Sequence, residues 1–431
     1  MADTQRARGN APEVQELGVW GRLWRPFWAI PAAFSLAAAA LGVLLPVFED
    51  DLRAVAFFVF PGDDEAARGM LTTIASAMIS VTGLVFSVTM VVLQLASSQF
   101  TPRVLGSFLQ SRVVQVTFGL FVAAFVYCLT VLRSVVSDDG RADAFVPRVA
   151  VTFGFFIALA CVASFLAFIH HITSTIQVSR VVSRIGDATM ALVDKVYPGV
   201  AGDEALSVGP SWSPSVDTPR VDICVDDRHG YVDEIDFPGL VACARDAGGV
   251  LVLHPRLGTF VTHGQRLATL WDPADDAFAD HDDEADARAH LTARVNSEIR
   301  LATERSMRQD LSFGFRQLVD IGERALSAGV NDPTTATQVI DEVHHLLREI
   351  VQRNPPSPYI VDEEGIVRLV VVPPSGESLL RLSLEELVHY GNEGVQVPRR
   401  LRTMLDDLAE VALPRYASVI AEFREQVDAG A

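Results

Sequence analysis

"TTIASAMISVTGLVFSVTMVVLQLASSQ", Thr72–Gln99, decides how the rest of the chain is read. It is apolar and long enough to cross a bilayer, which takes about 20 residues of helix. Yet Thr72, Ser76, Ser80, Gly83, Ser87, Gln94 and Ser98 recur along it at steps of three, four or seven. On a helix of about 3.6 residues per turn those steps put all seven on one face. The other faces carry Ile79, Val85, Phe86, Val88, Val92 and Leu93. Two uses are open to such a stripe. Small and hydroxyl side chains let helices approach closely and hydrogen-bond across an interface. Identical helices around an axis would instead enclose a hydroxyl-lined pore. Packing is the commoner use. The full length of the stripe, and the bulky amide of Gln94 near one end, favour a pore.

Three further runs are long and apolar enough to span, giving four in all: Phe27–Phe48, Leu71–Leu95, Val113–Val135 and Val149–Ile172. Trp20, Trp24 and Trp28 cluster at the start of the first, as an interfacial aromatic belt would. That run lies behind a polar leader over 1–26 and is too long for a signal peptide. Arg6, Arg8, Arg22, Arg25, Arg103, Arg112, Arg180, Arg184 and Lys195 fall on one side of the spans. The other side holds Arg53, Arg68, Arg141 and Arg148, with Arg133 near a span end, so the bias is moderate; its loops also carry Glu49, Asp50, Asp51, Asp63, Asp64, Glu65, Asp138, Asp139 and Asp143. Positive residues stay inside, so both termini are expected in the cytoplasm of a bacterial inner membrane. Acidic outer loops would concentrate cations at a pore mouth. No Asp, Glu, Lys or Arg lies mid-span, which speaks against an ion-coupled transporter.

The chain is 49% hydrophobic yet carries a net charge of −19, which implies an apolar membrane part and an acidic soluble part. Lys195 is the only lysine, a bias that fits a GC-rich bacterial genome. No basic patch is dense enough for nucleic acid. Cys128, Cys161, Cys224 and Cys243 match neither a disulfide framework nor a zinc pattern and read as small buried hydrophobes.

Beyond the spans, residues 173–220 read as a helix and then a linker rich in Pro, Gly and Ser. Short strand patterns over 221–271, with Gly258 and Gly264 at turns, flank a short helix in "FPGLVACARDAG". The turn spacing resembles the barrel-sandwich hybrid fold of biotinyl and lipoyl carriers. No lysine stands where such a cofactor attaches, so the resemblance implies a small β-barrel-like shape and no carrier role. From 272 onward the chain reads as mainly helical with a β hairpin. One helix is expected through "ARVNSEIRLATERSMRQDLSFGFRQLVDIGERAL" (293–326), the hairpin around Glu363–Gly365, and later helices beginning near Leu384, Val397 and Pro414. In "SAGVNDPTTA", Gly329 suits the C′ position of one helix, Asp332 the N-cap and Pro333 the N1 position of the next. The fold class expected is therefore a four-span α-helical membrane protein with a C-terminal cytosolic α/β domain.

The second span, the following "QVTFGLFVAAFVYCLTVLRSV" and "FGFRQLVDIGERALSAGVNDPTTATQVID" resemble the bacterial predicted membrane proteins of domain-of-unknown-function family 2254. "SSQFTPR" and "ALSAGVNDPTTA" are the most specific pieces. The resemblance implies four membrane helices and a cytosolic domain; it implies no catalytic residue.

Candidate chemistry elsewhere reads blandly. Pro102 and Arg103 in "SSQFTPR" suit a cytoplasmic hinge, or a turn with a positive anchor. His170 and His171 point about 100° apart, too far to share one metal easily. His344 and His345 can pair with Asp341 and Glu342 on one helix, as a salt-bridged surface. The acidic 272–290 stretch, with His281 and His290, lacks the glycine of a calcium loop. No nucleophile elbow, Walker loop, zinc-protease motif or dinucleotide fingerprint occurs. No enzyme activity, cofactor or metal is expected. Partners expected are the lipid bilayer and further copies of the chain. The sequence identifies no cytosolic partner. The leading expectation is an oligomeric channel-like protein. The alternative is a non-conducting scaffold or sensor whose stripe serves helix packing.

Overall fold

The computed structural model describes residues 28–49, 60–99, 112–136, 145–175, 177–197, 199, 211–215, 218–274 and 284–430. The chain divides into two units, 16–180 and a second one that includes 181–431.

The first unit holds α1 (Ala29–Val47), α2 (Asp64–Gln99), α3 (Arg112–Leu132) and α4 (Arg148–Thr175). Each is long and apolar enough to cross a membrane. α3 is the central helix and packs against the other three. Its Phe121, Ala124, Tyr127 and Val131 are buried. Small residues set the crossing with α1: a Cβ on Gly42 would lie 2.8 Å from Thr130 Cβ, and one on Gly119 would lie 2.6 Å from the Phe34 ring. Polar groups join the helices where lipid would leave them unpaired. Thr117 and Ser164 hydroxyls meet at 3.0 Å between α3 and α4, and the Tyr127 hydroxyl donates to Ala150 O at 2.7 Å. Glu49, just past α1, is buried, and its carboxylate accepts the Val149 N–H of the first turn of α4 at 2.9 Å. That is where a helix favours negative charge.

α5 (Val178–Val196) begins at the division and belongs mainly to the second unit. Strands β1 (Arg220–Cys224), β2 (Gly230–Ile235), β3 (Val250–Leu253), β4 (Phe260–Val261) and β5 (Arg266–Trp271) follow, with α6 (Phe237–Asp246) after β2. Then come α7 (Glu284–Ser297), β6 (Ile299–Ala302), α8 (Leu311–Leu326), α9 (Pro333–Val351), β7 (Tyr359–Val361) and β8 (Val367–Val370). The chain finishes with α10 (Gly376–Gly391), α11 (Gln396–Val411), a 3-10 turn at Pro414–Tyr416 and α12 (Ala417–Ala429).

The strands do not close into a barrel. They form a five-stranded sheet in the order β1-β5-β3-β8-β7 and a three-stranded sheet β4-β2-β6. The late hairpin β7–β8 docks parallel on β3 and extends one sheet, while β6 pairs with β2 and extends the other. The barrel-like shape is not seen among the described residues, where strands from outside 221–271 extend both sheets.

The single helix expected over 293–326 is three elements. Ile299 and Leu301 of β6 sit opposite Ile235 and Val232 of β2, so sheet pairing overrides the helical period. Asp310 then starts α8 afresh, its carboxylate accepting from the Phe313 N–H at 3.1 Å. α10 likewise starts ahead of Leu384, where the Ser375 hydroxyl accepts from the Ser378 N–H at 3.1 Å.

Candidate functional site

α2 begins with Asp63, whose carboxylate accepts from the Ala66 N–H at 2.9 Å, and with Asp64 and Glu65 in its positive first turn. Arg68 ties it to the end of α3 by donating to Val135 O at 2.6 Å. One line of the helix is buried against its own chain: Ala67, Leu71, Ile74, Ala75, Met78, Val85, Thr89 and Val92. Thr72, Ser76, Ser80, Gly83, Ser87 and Gln94 are exposed. At about 100° per residue they fall in an arc of roughly 80° centred opposite the buried line. Exposed apolar residues flank them, Ile79 and Phe86 on one side and Leu84 and Val91 on the other. A Cβ on Gly83 would meet nothing within 4 Å. The other spans of the chain therefore leave the stripe uncovered. Gly42 and Gly119, by contrast, serve close packing inside this unit.

Two hydroxyls of the stripe are occupied within the helix. Ser80 donates to Ser76 O at 2.8 Å and Ser87 donates to Gly83 O at 2.9 Å. Ser98 lies in α2 with its side chain outside the described residues, and Pro102 and Arg103 lie outside them altogether.

In the second unit His345 stays beside Glu342, as expected, while His344 takes an acid from another helix. His344 reaches Asp407 on α11 through Nε2 at 2.7 Å, while Asp341 pairs with Arg400. Arg400 also donates to His344 Nδ1 at 2.8 Å, so Nδ1 accepts and Nε2 carries the proton toward Asp407. Arg348 adds a bond to the same Asp407 oxygen at 2.8 Å. The His344 and Arg348 bonds hold the Asp407 carboxyl below the usual carboxylate range. This network joins α9 to α11. Among the described residues no three His, Cys, Asp or Glu side chains cluster to hold a metal.

The loop between α8 and α9 has a different left-handed residue from the one the sequence suggests. α8 ends at Leu326 with Ser327 extended; Asn331 takes positive φ (47°) and Gly329 does not. Asp332 accepts from the Thr334 and Thr335 N–H groups at 3.1 Å each, ahead of Pro333. A carboxylate thus already fills the helix N-terminus. The Thr335 hydroxyl bond is the main reason the Asp332 carboxyl lies below the usual range. A group depressed in the folded state stabilises it above the unfolded pKa of about 3.9 and loses that contribution as pH falls through the folded value. Asp332→Ala is expected to cost about 1 kcal/mol at pH 7 and nothing from this source below both values. Denaturant unfolding of the full chain at the two pH values checks it.

Sequence reasoning missed the polar contacts buried inside the membrane unit. Glu49 read as an acid of an outer loop, and only its distance from the next span in sequence concealed its role as a cap of α4.

The predicted membrane protein family DUF2254 matches residues 24–407. The chain is 29% identical over 387 residues to uncharacterized proteins of Mycobacterium tuberculosis (strain H37Rv) and of Mycobacterium bovis. Each alignment covers 89% of this chain and 71% of the relative. No solved structure matches it. The four apolar helices and the extent of the family match agree, and the chain belongs to the predicted membrane protein family DUF2254.

Proposed function

We propose that the chain is a subunit of an oligomeric bacterial inner-membrane channel. Its passive ion pathway is lined by Thr72, Ser76, Ser80, Gly83, Ser87 and Gln94, and residues 181–431 act as assembly platform or gate. The observation that carries the reading is the position of the stripe, opposite the buried line of α2 and uncovered by its own chain. A polar face left in hydrocarbon is costly, so an axis of identical copies is the economical way to wet it. The flanking Ile79, Phe86, Leu84 and Val91 then meet neighbouring copies. The acidic outer loops favour cations at the mouth. The arginine distribution favours cytoplasmic termini. No catalytic step belongs to this reading.

A second reading is favoured by the Ser80 and Ser87 hydrogen bonds. Hydroxyls that donate to their own helix tolerate a dry surface, so the same face also suits a non-conducting scaffold or sensor in which another helix covers the stripe.

Ion flux through the purified protein in liposomes distinguishes them. The channel reading expects flux above protein-free vesicles, and Ser80→Leu and Ser87→Leu each remove most of it while the oligomer mass is unchanged. Absence of flux across pH and potential, or loss of the oligomer in both variants, sinks it in favour of the scaffold.

A further inference from the structure

α5 turns one face toward the rest of its unit, where Val182, Ile185, Thr189, Leu192 and Val193 are buried. Gly186 lies on that face and admits Glu342 of α9. A Cβ at Gly186 would collide with the Glu342 carboxylate and lie 2.5 Å from its Cγ. The missing side chain is what lets an acid enter an otherwise apolar helix contact. Glu342 is half-buried there, between the buried Ile340, Val343 and Leu346 of its own helix. Among the described residues no hydrogen-bond donor reaches its carboxylate. Farther along the two helices Asp194 is held by Arg353 at 2.8 Å, so the seam has one firm end and one that depends on Glu342.

The charges around Glu342 leave it poorly balanced. Asp187 follows Gly186 on α5, and Asp341 precedes Glu342 on α9; both are negative, and Asp341 is already paired with Arg400 of α11. His345 of α9 is the group of opposite sign, and only while its imidazole is protonated. α8 and α10 also pack on α9 and bring no charge to bear on this carboxyl. Burial first, and then the two aspartates against the pull of His345, push Glu342 above the usual carboxylate range. A carboxyl raised in the folded state favours the fold below the unfolded value of about 4.3, and that contribution is lost as pH rises through the folded value. Once ionised, the group carries an unpaired charge in the seam between α5 and α9.

We propose that Glu342 is a proton-operated latch between α5 and α9. Protonated, it lies on Gly186 and keeps α5 seated; ionised, it takes up water and the seam opens at this end. α5 begins three positions after α4 ends, so the latch sets how firmly the second unit holds the chain that leaves the last apolar helix. The proposal does not rest on conduction.

Spin-label distances test it in the full chain in detergent. Labels are placed at Ala191→Cys on α5 and Ala409→Cys on α11, both exposed, in a Cys224→Ser background; the other native cysteines are buried. α11 serves as reference because it packs along α9. From about pH 4.5 to about pH 8 the population at the longer distance is expected to rise severalfold. Glu342→Gln, which cannot ionise, should keep the short distance throughout. Asp187→Asn removes a like charge and should move the transition to lower pH. A distance that ignores pH, or one that changes as much in Glu342→Gln, overturns the proposal. Should the Gln variant fail to fold, the exposed Asp187→Asn site decides alone, and an unmoved transition there overturns the latch.

Discussion

Gly314→Ala is expected to destabilise the second unit by about 2–3 kcal/mol, the cost of overpacking a tight contact. The added methyl would collide with the Thr189 hydroxyl and sit 2.9 Å from Thr189 Cγ2 and 3.0 Å from its Cβ. Thr189 has no exposed surface, is branched at Cβ, and its hydroxyl is bonded to Ile185 O at 2.7 Å. It cannot turn aside, so α5 and α8 must part. Thr189→Ala removes the colliding atoms at a smaller cost. The double variant should therefore be more stable than the sum of the single losses by at least about 1 kcal/mol, the coupling of residues in contact. Denaturant unfolding of the full chain in detergent reads the cycle, with Trp271 of the sheet and Trp212 packed against it as fluorescent reporters. Additive losses would mean that the helices slide past the methyl. Gly314 is one of the places where α5 is seated on the rest of its unit, beside Gly186 against Glu342 and Asp194 bonded to Arg353.

Asp310→Ala should cost about 3 kcal/mol, since it removes a helix cap and leaves a partly buried guanidinium without its carboxylate. One oxygen of Asp310 accepts the Phe313 N–H, and the other accepts from Arg305 Nε and Nη2 at 2.9 and 2.7 Å. Arg305 also lies over the Phe313 ring at 5.0 Å. Asp310→Asn keeps a capping oxygen and loses the charge pair, so it should fall between wild type and Asp310→Ala in the same unfolding experiment. An Asn variant as unstable as the Ala variant would assign the whole effect to the ion pair.

The membrane unit was legible because its signal is crude. A bilayer demands about 20 apolar residues per helix, and nothing in a neighbouring element can override that. The expected spans lie on the four apolar helices, within a few residues for the first, third and fourth; the second helix starts at Asp64, ahead of the expected Leu71. The stripe of α2 was legible for the same reason, since it depends only on helical period. The second unit was read less well wherever a partner distant in sequence decided the outcome. "EIRLA" keeps a helical pattern until β2 offers it an edge. The barrel expectation rested on turn spacing, which does not say that β7 and β8 will arrive from a hundred residues away. Asp310 could have been found: an acid directly before the apolar period of "LSFGFRQLV" is an N-cap signal, passed over because the sequence before it also looked helical. His344 kept an acidic partner, but the acid came from α11, and the local spacing with Asp341 gave no hint of it.

The serines of α2 carry one further consequence. A hydroxyl has one proton and two lone pairs, and at Ser80 and Ser87 the proton is already spent on a carbonyl one turn back. Both side chains therefore offer only electron pairs to whatever lies outside. Water, an ammonium or a metal cation can use these two oxygens, and an anion has nothing to bind at either. Ser80 cannot join Ser87 of another copy unless one of the two hydroxyls first lets go of its own helix. A tight, dry seam at these two positions must bring its donors from elsewhere, and on the same face the amide of Gln94 is a group that carries them.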